Sequence, residues 1–85
     1  VTDDPLHAAR AAAEGAARRS YGRLVAILSA RTRDIAASED ALADAFARAL
    51  ERWPVDGVPA QQEAWLLQVA RHRTLDAWRH SQVRD

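Results

Sequence analysis

The chain has no cysteine. That excludes a disulfide framework and a thiolate metal site. It also has no lysine, so all twelve basic side chains are arginine, which offers a planar fork suited to phosphates and base edges. No apolar run approaches the roughly 20 residues that a bilayer-spanning helix needs. Asp3 and Asp4 occupy the place where a secretory signal would begin with basic residues, so export is not expected and a cytoplasmic location is. No stretch shows the apolar-polar alternation of a half-buried strand. Catalytic constellations are missing as well. There is no glycine-rich phosphate loop behind a strand and no Gly-x-Ser-x-Gly turn. His72 and His80 stand eight residues apart, too far to share a metal on one helix face, and His7 is remote. Asp40 and Asp44 share a helical face, but two carboxylates without a third ligand read as a solvated face. The expectation is a protein that is no enzyme and carries no metal or cofactor.

What remains is one small domain of 85 residues, or a piece of a longer protein, with a marginal core. Its net charge is zero, but the charges are segregated. Residues 1–33 sum to +3, residues 34–56 to −4 and residues 57–85 to +1. An acidic middle element between two basic ones suits a protein with two partners of opposite charge.

The periodicity is helical throughout, and three or four helices fit. The first is expected from about Pro5 to about Ala30. Pro5 suits a first turn, and Asp3 and Asp4 complement the dipole. Ala8 to Ala17 favours helix by propensity but offers little to bury, and Gly15 to Ser20 is a plausible break. From Tyr21 the pattern sharpens, with Leu24, Ile27 and Leu28 facing the core. The second helix is expected from about Asp34, a good N-cap, to Trp53. Its apolar face is Leu42, Ala45, Phe46, Ala49, Leu50 and Trp53, and Pro54 is expected to end it. The segment Pro54 to Pro59 reads as a stiff turn around Asp56-Gly57. A third helix is expected from near Ala60 to about Ser81, with the tail fraying from Gln82.

The stretch EDALADAFARALERWP…PAQQEAWLLQVARHRTLDAWRH resembles region 2 of bacterial sigma factors of the extracytoplasmic-function class. The resemblance rests on Glu39-Asp40, Phe46, Trp65-Leu66, Ala70-Arg71-His72, Leu75-Asp76 and Arg79-His80, in this order and spacing. SYGRLVAIL and ALERWPVDGVP resemble one subgroup with a long C-terminal extension. The implied fold is an all-α bundle of three to four helices. The implied organisation is an Ala-rich helical segment over residues 1–19 and a region 2 domain over residues 20–83, without the second, region 4 domain.

The resemblance implies binding to core RNA polymerase at the β′ clamp helices, together with recognition and melting of the promoter −10 element on its non-template strand. Polymerase binding falls to Glu39, Asp40, Asp44 and Arg48. DNA binding falls to Asp56, Gly57, Arg71, His72, Arg73, Asp76 and Arg79. An anti-sigma protein is a further candidate partner. Three residues depart from the family pattern: His72 replaces a frequent Asn, Ala43 a frequent Gln, and His80 the second basic residue of an Arg pair.

Blander readings stand beside these. Trp65 reads as core rather than as a base-stacking wedge, Trp53 as core or a helix-end plug, and Trp78 as core. Asp76 either orients Arg73, Arg79 or His80, or faces DNA. Arg18, Arg19 and Arg23 read as a solvated face. The alternative functions are a helical adaptor without DNA binding and a duplex-reading helix-turn-helix regulator, which the Pro-bracketed loop and acidic middle helix fit poorly.

Overall fold

A computed structural model describes residues 4–84, except the side chains of 77, 78 and 80–84. Among the described residues there are three helices and no strand: α1 (Pro5–Thr32), α2 (Ile35–Asp56) and α3 (Gln62–Arg84). The all-α expectation holds, with three helices rather than four. None of the three is long and apolar enough to cross a membrane.

Helix α1 starts where Asp4 accepts a hydrogen bond from the Leu6 N–H and Pro5 fills the first turn. It then runs unbroken through Gly15 and Ser20, where a break was expected. The reason is a continuous buried stripe. Ala9, Ala13, Ala16, Ser20, Leu24 and Leu28 recur at intervals of three and four and all face the core. The Ala-rich segment therefore does bury a face, contrary to the sequence reading. Small side chains there allow close approach, and continuous burial outweighs the propensity cost of one glycine, about 1 kcal/mol.

Two residues, Arg33 and Asp34, turn the chain into α2. Arg33 takes a left-handed conformation (φ 59°) and its N–H closes α1 on the Ser29 carbonyl at 2.7 Å. Asp34 caps α2 as expected, accepting from the Ala37 N–H at 2.9 Å. Ser38, fully buried, is satisfied by the Thr32 hydroxyl at 3.1 Å. So tight a connection makes α1 and α2 antiparallel neighbours.

Helix α2 does not stop at Pro54. It continues one turn to Asp56. Proline loses only the bond to the Leu50 carbonyl, and Leu50 is exposed, so water can take that carbonyl. Trp53 is buried, which holds the residue before the proline in the helix. The helix closes at Gly57, whose N–H reaches the Trp53 carbonyl at 2.9 Å with φ 94°. The expected Pro54–Pro59 turn is thus shortened to residues 57–61.

Helix α3 runs to Arg84, past the point where fraying was expected. It lies antiparallel to α2, because Trp65 meets Trp53 while Arg73 meets Asp44. The Trp53 and Trp65 rings are edge-to-face, with centroids 5.4 Å apart. Leu24, Leu28, Leu42, Trp53 and Leu66 form the centre of the core, and Phe46 and Trp65 pack on it partly buried. The core assignments of Trp53 and Trp65 hold. The side chain of Trp78 lies outside the described residues, as does that of His80, and Asp3 lies outside them altogether.

Candidate polymerase and nucleic-acid interface

The helix register decides which charges meet. Helix α2 buries positions 38, 41, 42, 45, 49 and 53. Its acids Glu39, Asp40, Asp44 and Glu51 are therefore left exposed. Helix α3 buries Leu66 and Ala70 and half-buries Trp65 and Val69, which leaves Arg71, His72, Arg73, Asp76 and Arg79 exposed. Because the two helices are antiparallel, the acidic face of α2 stands beside the basic second half of α3.

The point of contact is an ion pair. Arg73 donates from Nε to the Asp44 Oδ2 at 3.0 Å, and its Nη2 also stands 3.0 Å from that oxygen. On one side of this pair lies a furrow of about 580 Å³ between α2 and α3, lined by Asp44, Arg48, Glu51, Trp65, His72 and Asp76 among others. On the other side lies a wider hollow of about 1230 Å³. Asp40, Arg71 and Leu75 line it together with Leu28, Arg31 and Thr32 of α1. Asp44, Arg73 and Asp76 border both.

The structure thus brings together Asp40, Asp44, Arg48, Arg71, His72, Arg73 and Asp76. Glu39 and Arg79 are exposed but line neither hollow. Asp56 and Gly57 lie at the far end of the molecule. Between Gln62, where α3 starts beside them, and Arg71 there is about 14 Å of helix rise, and to Arg79 about 25 Å. Asp56 is also the last residue of α2 rather than part of a turn, and its carboxylate is engaged by Arg52 at 2.8 Å. The Asp56-Gly57 turn expected from the sequence is corrected accordingly, because the helix runs one turn further.

Of the partners considered for Asp76, Arg73 is held by Asp44 instead. Arg23 is exposed, in keeping with a solvated face, and also bridges to Glu63 of α3 at 2.8 Å. The same carboxylate accepts a hydrogen bond from the buried Ser20 hydroxyl. This clasp ties the start of α3 to the middle of α1. Arg18 keeps to its own helix, 3.8 Å from Glu14, with both side chains well exposed. The sequence reading also missed Glu51 and Gln68 as furrow residues. The spacing Trp65, Gln68, His72, Asp76 carries that signal, since residues three and four apart share a helix face. Among the described residues no cluster of His, Asp or Glu has the geometry to hold a metal ion.

Comparison with known proteins bears on the same residues. The family described as Sigma-70 region 2 matches residues 16–84. A probable RNA polymerase sigma factor, RfaY, of Xanthomonas campestris pv. campestris is 38% identical over an 82-residue alignment covering 87% of this chain. The chain spans about a fifth of that relative's length (20%). No solved structure matches. With its three helices and a match that includes both charged faces and the loop between them, the chain belongs to the sigma-70 region 2 family.

Proposed function

We propose that this chain is the part of a sigma factor that engages core RNA polymerase and the promoter −10 element, acting as a binding module and not as an enzyme. The reading rests on family membership and on one arrangement: an exposed acidic row on α2 set antiparallel to an exposed Arg and His row on α3. Glu39, Asp40, Asp44 and Arg48 meet the β′ clamp helices, and Asp40 and Asp44 pair there with basic groups. Arg71, His72, Arg73 and Arg79 meet the non-template strand, where arginines neutralise phosphates or read base edges.

Taking a base out of the stack costs a few kcal/mol, which cationic contacts to the separated strand offset. With zero net charge the chain has little attraction for free DNA, so DNA engagement depends on the polymerase. Asp56 and Gly57, at the far end of α3, contact the strand only if it runs the length of that helix. His72 at the family's frequent Asn position alters the base preference. The Glu39-Asp40, Trp65-Leu66 and Leu75-Asp76 pairs favour the extracytoplasmic-function class, and action on polymerase places the protein in the cytoplasm. An anti-sigma protein would compete for the same faces.

The test uses the intact protein, core polymerase and a fluorescent −10 non-template oligonucleotide. The oligonucleotide is expected to bind tightly only when polymerase is present. Replacing Arg71 and Arg79 by Ala is expected to weaken that binding and to lower its salt slope by about 1.4, at about 0.7 per lost single-strand phosphate contact. Capture of the polymerase stays intact. An unchanged affinity and slope would remove α3 from the DNA interface. Replacing Asp40 by Lys is expected to weaken polymerase capture, and equal capture would remove α2 from the polymerase interface.

A further inference from the structure

We infer that the Asp44–Arg73 ion pair is a latch that couples the two proposed interfaces: in the free protein Asp44 withholds Arg73 from nucleic acid, and a basic surface that claims Asp44 releases it. The inference rests on the proposed function, since it assigns Asp44 to the polymerase side and Arg73 to the DNA side.

Three observations carry it. The first is where the pair stands: among the described residues it is the ion pair that joins the acidic face of α2 to the basic half of α3, at the border between the furrow and the wider hollow. The second is its geometry. One Asp44 oxygen accepts the Nε–H of Arg73 at 3.0 Å and stands 3.0 Å from Nη2, so that edge of the guanidinium and its nearest counter-charge are committed inside the protein. A phosphate approaching Arg73 meets a carboxylate already in place.

The third is exposure. The side chains are 59% and 51% exposed, so the pair is screened and easily exchanged. A buried pair would be a fixed part of the fold, whereas this one can trade partners. Any cation of a partner that pairs with Asp44 competes with Arg73 and frees its fork. By thermodynamic linkage the coupling is reciprocal: a phosphate that takes Arg73 releases Asp44 for the polymerase by the same factor. An exposed pair of this kind supports a coupling of about two- to fivefold.

A double-mutant cycle on the intact protein tests the latch. Four proteins are compared: the natural sequence, Asp44→Asn, Arg73→Gln and the double variant. The readout is the affinity of the free protein for the −10 non-template oligonucleotide at low salt, where weak binding is measurable. Asp44→Asn is expected to tighten binding about two- to fivefold when Arg73 is present, and to have no more than the effect of a simple charge loss in the Arg73→Gln background. Glu51→Gln removes the same charge from the same furrow without touching the pair, and its effect is expected to be equal in both backgrounds. With saturating polymerase, Arg73→Gln is expected to cost more oligonucleotide affinity than it costs the free protein.

An Asp44→Asn effect that is the same with and without Arg73 overturns the latch, even if the polymerase complex binds the oligonucleotide normally. A protein that captures neither polymerase nor oligonucleotide in any variant overturns the proposed function as well, and the two failures are told apart by the polymerase arm.

Discussion

Replacing Trp53 by alanine is expected to come close to unfolding the domain. Trp53 is 2% exposed, touches Trp65 edge-to-face and joins α2 to α3 within the core. Truncating a buried tryptophan costs about 3–5 kcal/mol, and the aromatic pair accounts for about 0.5–1.5 kcal/mol beyond area burial. A chain of 85 residues has a total stability of about 4–13 kcal/mol, so the loss takes a large share of it. A second substitution sharpens the reasoning. The Trp53 Nε1–H is buried without a hydrogen-bond acceptor among the described residues. An unsatisfied buried donor costs about 1–3 kcal/mol. Trp53→Phe keeps a ring against Trp65 and removes that donor, so the gain offsets part of the lost volume. It is expected to cost clearly less than the alanine variant, because a smaller cavity is left. Urea unfolding followed by circular dichroism measures both. If the alanine variant lost under about 1 kcal/mol, the assigned core would be wrong. A phenylalanine variant as unstable as the alanine one would mean that the indole N–H has a partner in solution.

Gly57→Ala is expected to cost about 1–3 kcal/mol by backbone strain alone, since φ 94° with ψ 153° is a conformation nearly reserved for glycine while the space around it is open. Thermal unfolding checks this, and an unchanged midpoint would show that the α2 end adjusts freely. Asp34→Ala removes the α2 cap and is expected to cost about 1 kcal/mol, whereas Asp34→Asn keeps most of it. Ser20→Ala takes the buried donor from Glu63 and is expected to cost about 1 kcal/mol, read in a double-mutant cycle with Glu63→Ala in which the two losses do not add.

Much of the fold was legible before the structure. The Leu24–Leu28 and Leu42–Trp53 periodicities, the Asp34 cap and the early position of Glu63 are local signals, and each helix formed where they lie. Local signals failed where burial outweighed them. Gly15 and the alanine run mark a weak point, but Ala9, Ala13, Ala16 and Ser20 bury a stripe on both sides of it, and that packing carries the helix through. Pro54 predicted a stop, but the buried Trp53 before it held the backbone helical for one more turn. That single turn moved Asp56 out of the expected loop and into a pair with Arg52.

The candidate site divides in the same way. The sequence by itself determined that the chain is helical, that a net acidic helix lies between two net basic segments, and which of those residues point away from the core. All of this follows from a repeat of 3.6 residues. Only the tertiary structure decided which charge faces which. The antiparallel crossing of α2 and α3 set Asp44 against Arg73, 29 positions apart in the chain, and the approach of α1 set Ser20 and Arg23 against Glu63. No periodicity within one helix encodes such a pairing, because it depends on the depth and angle at which two separately determined faces pack.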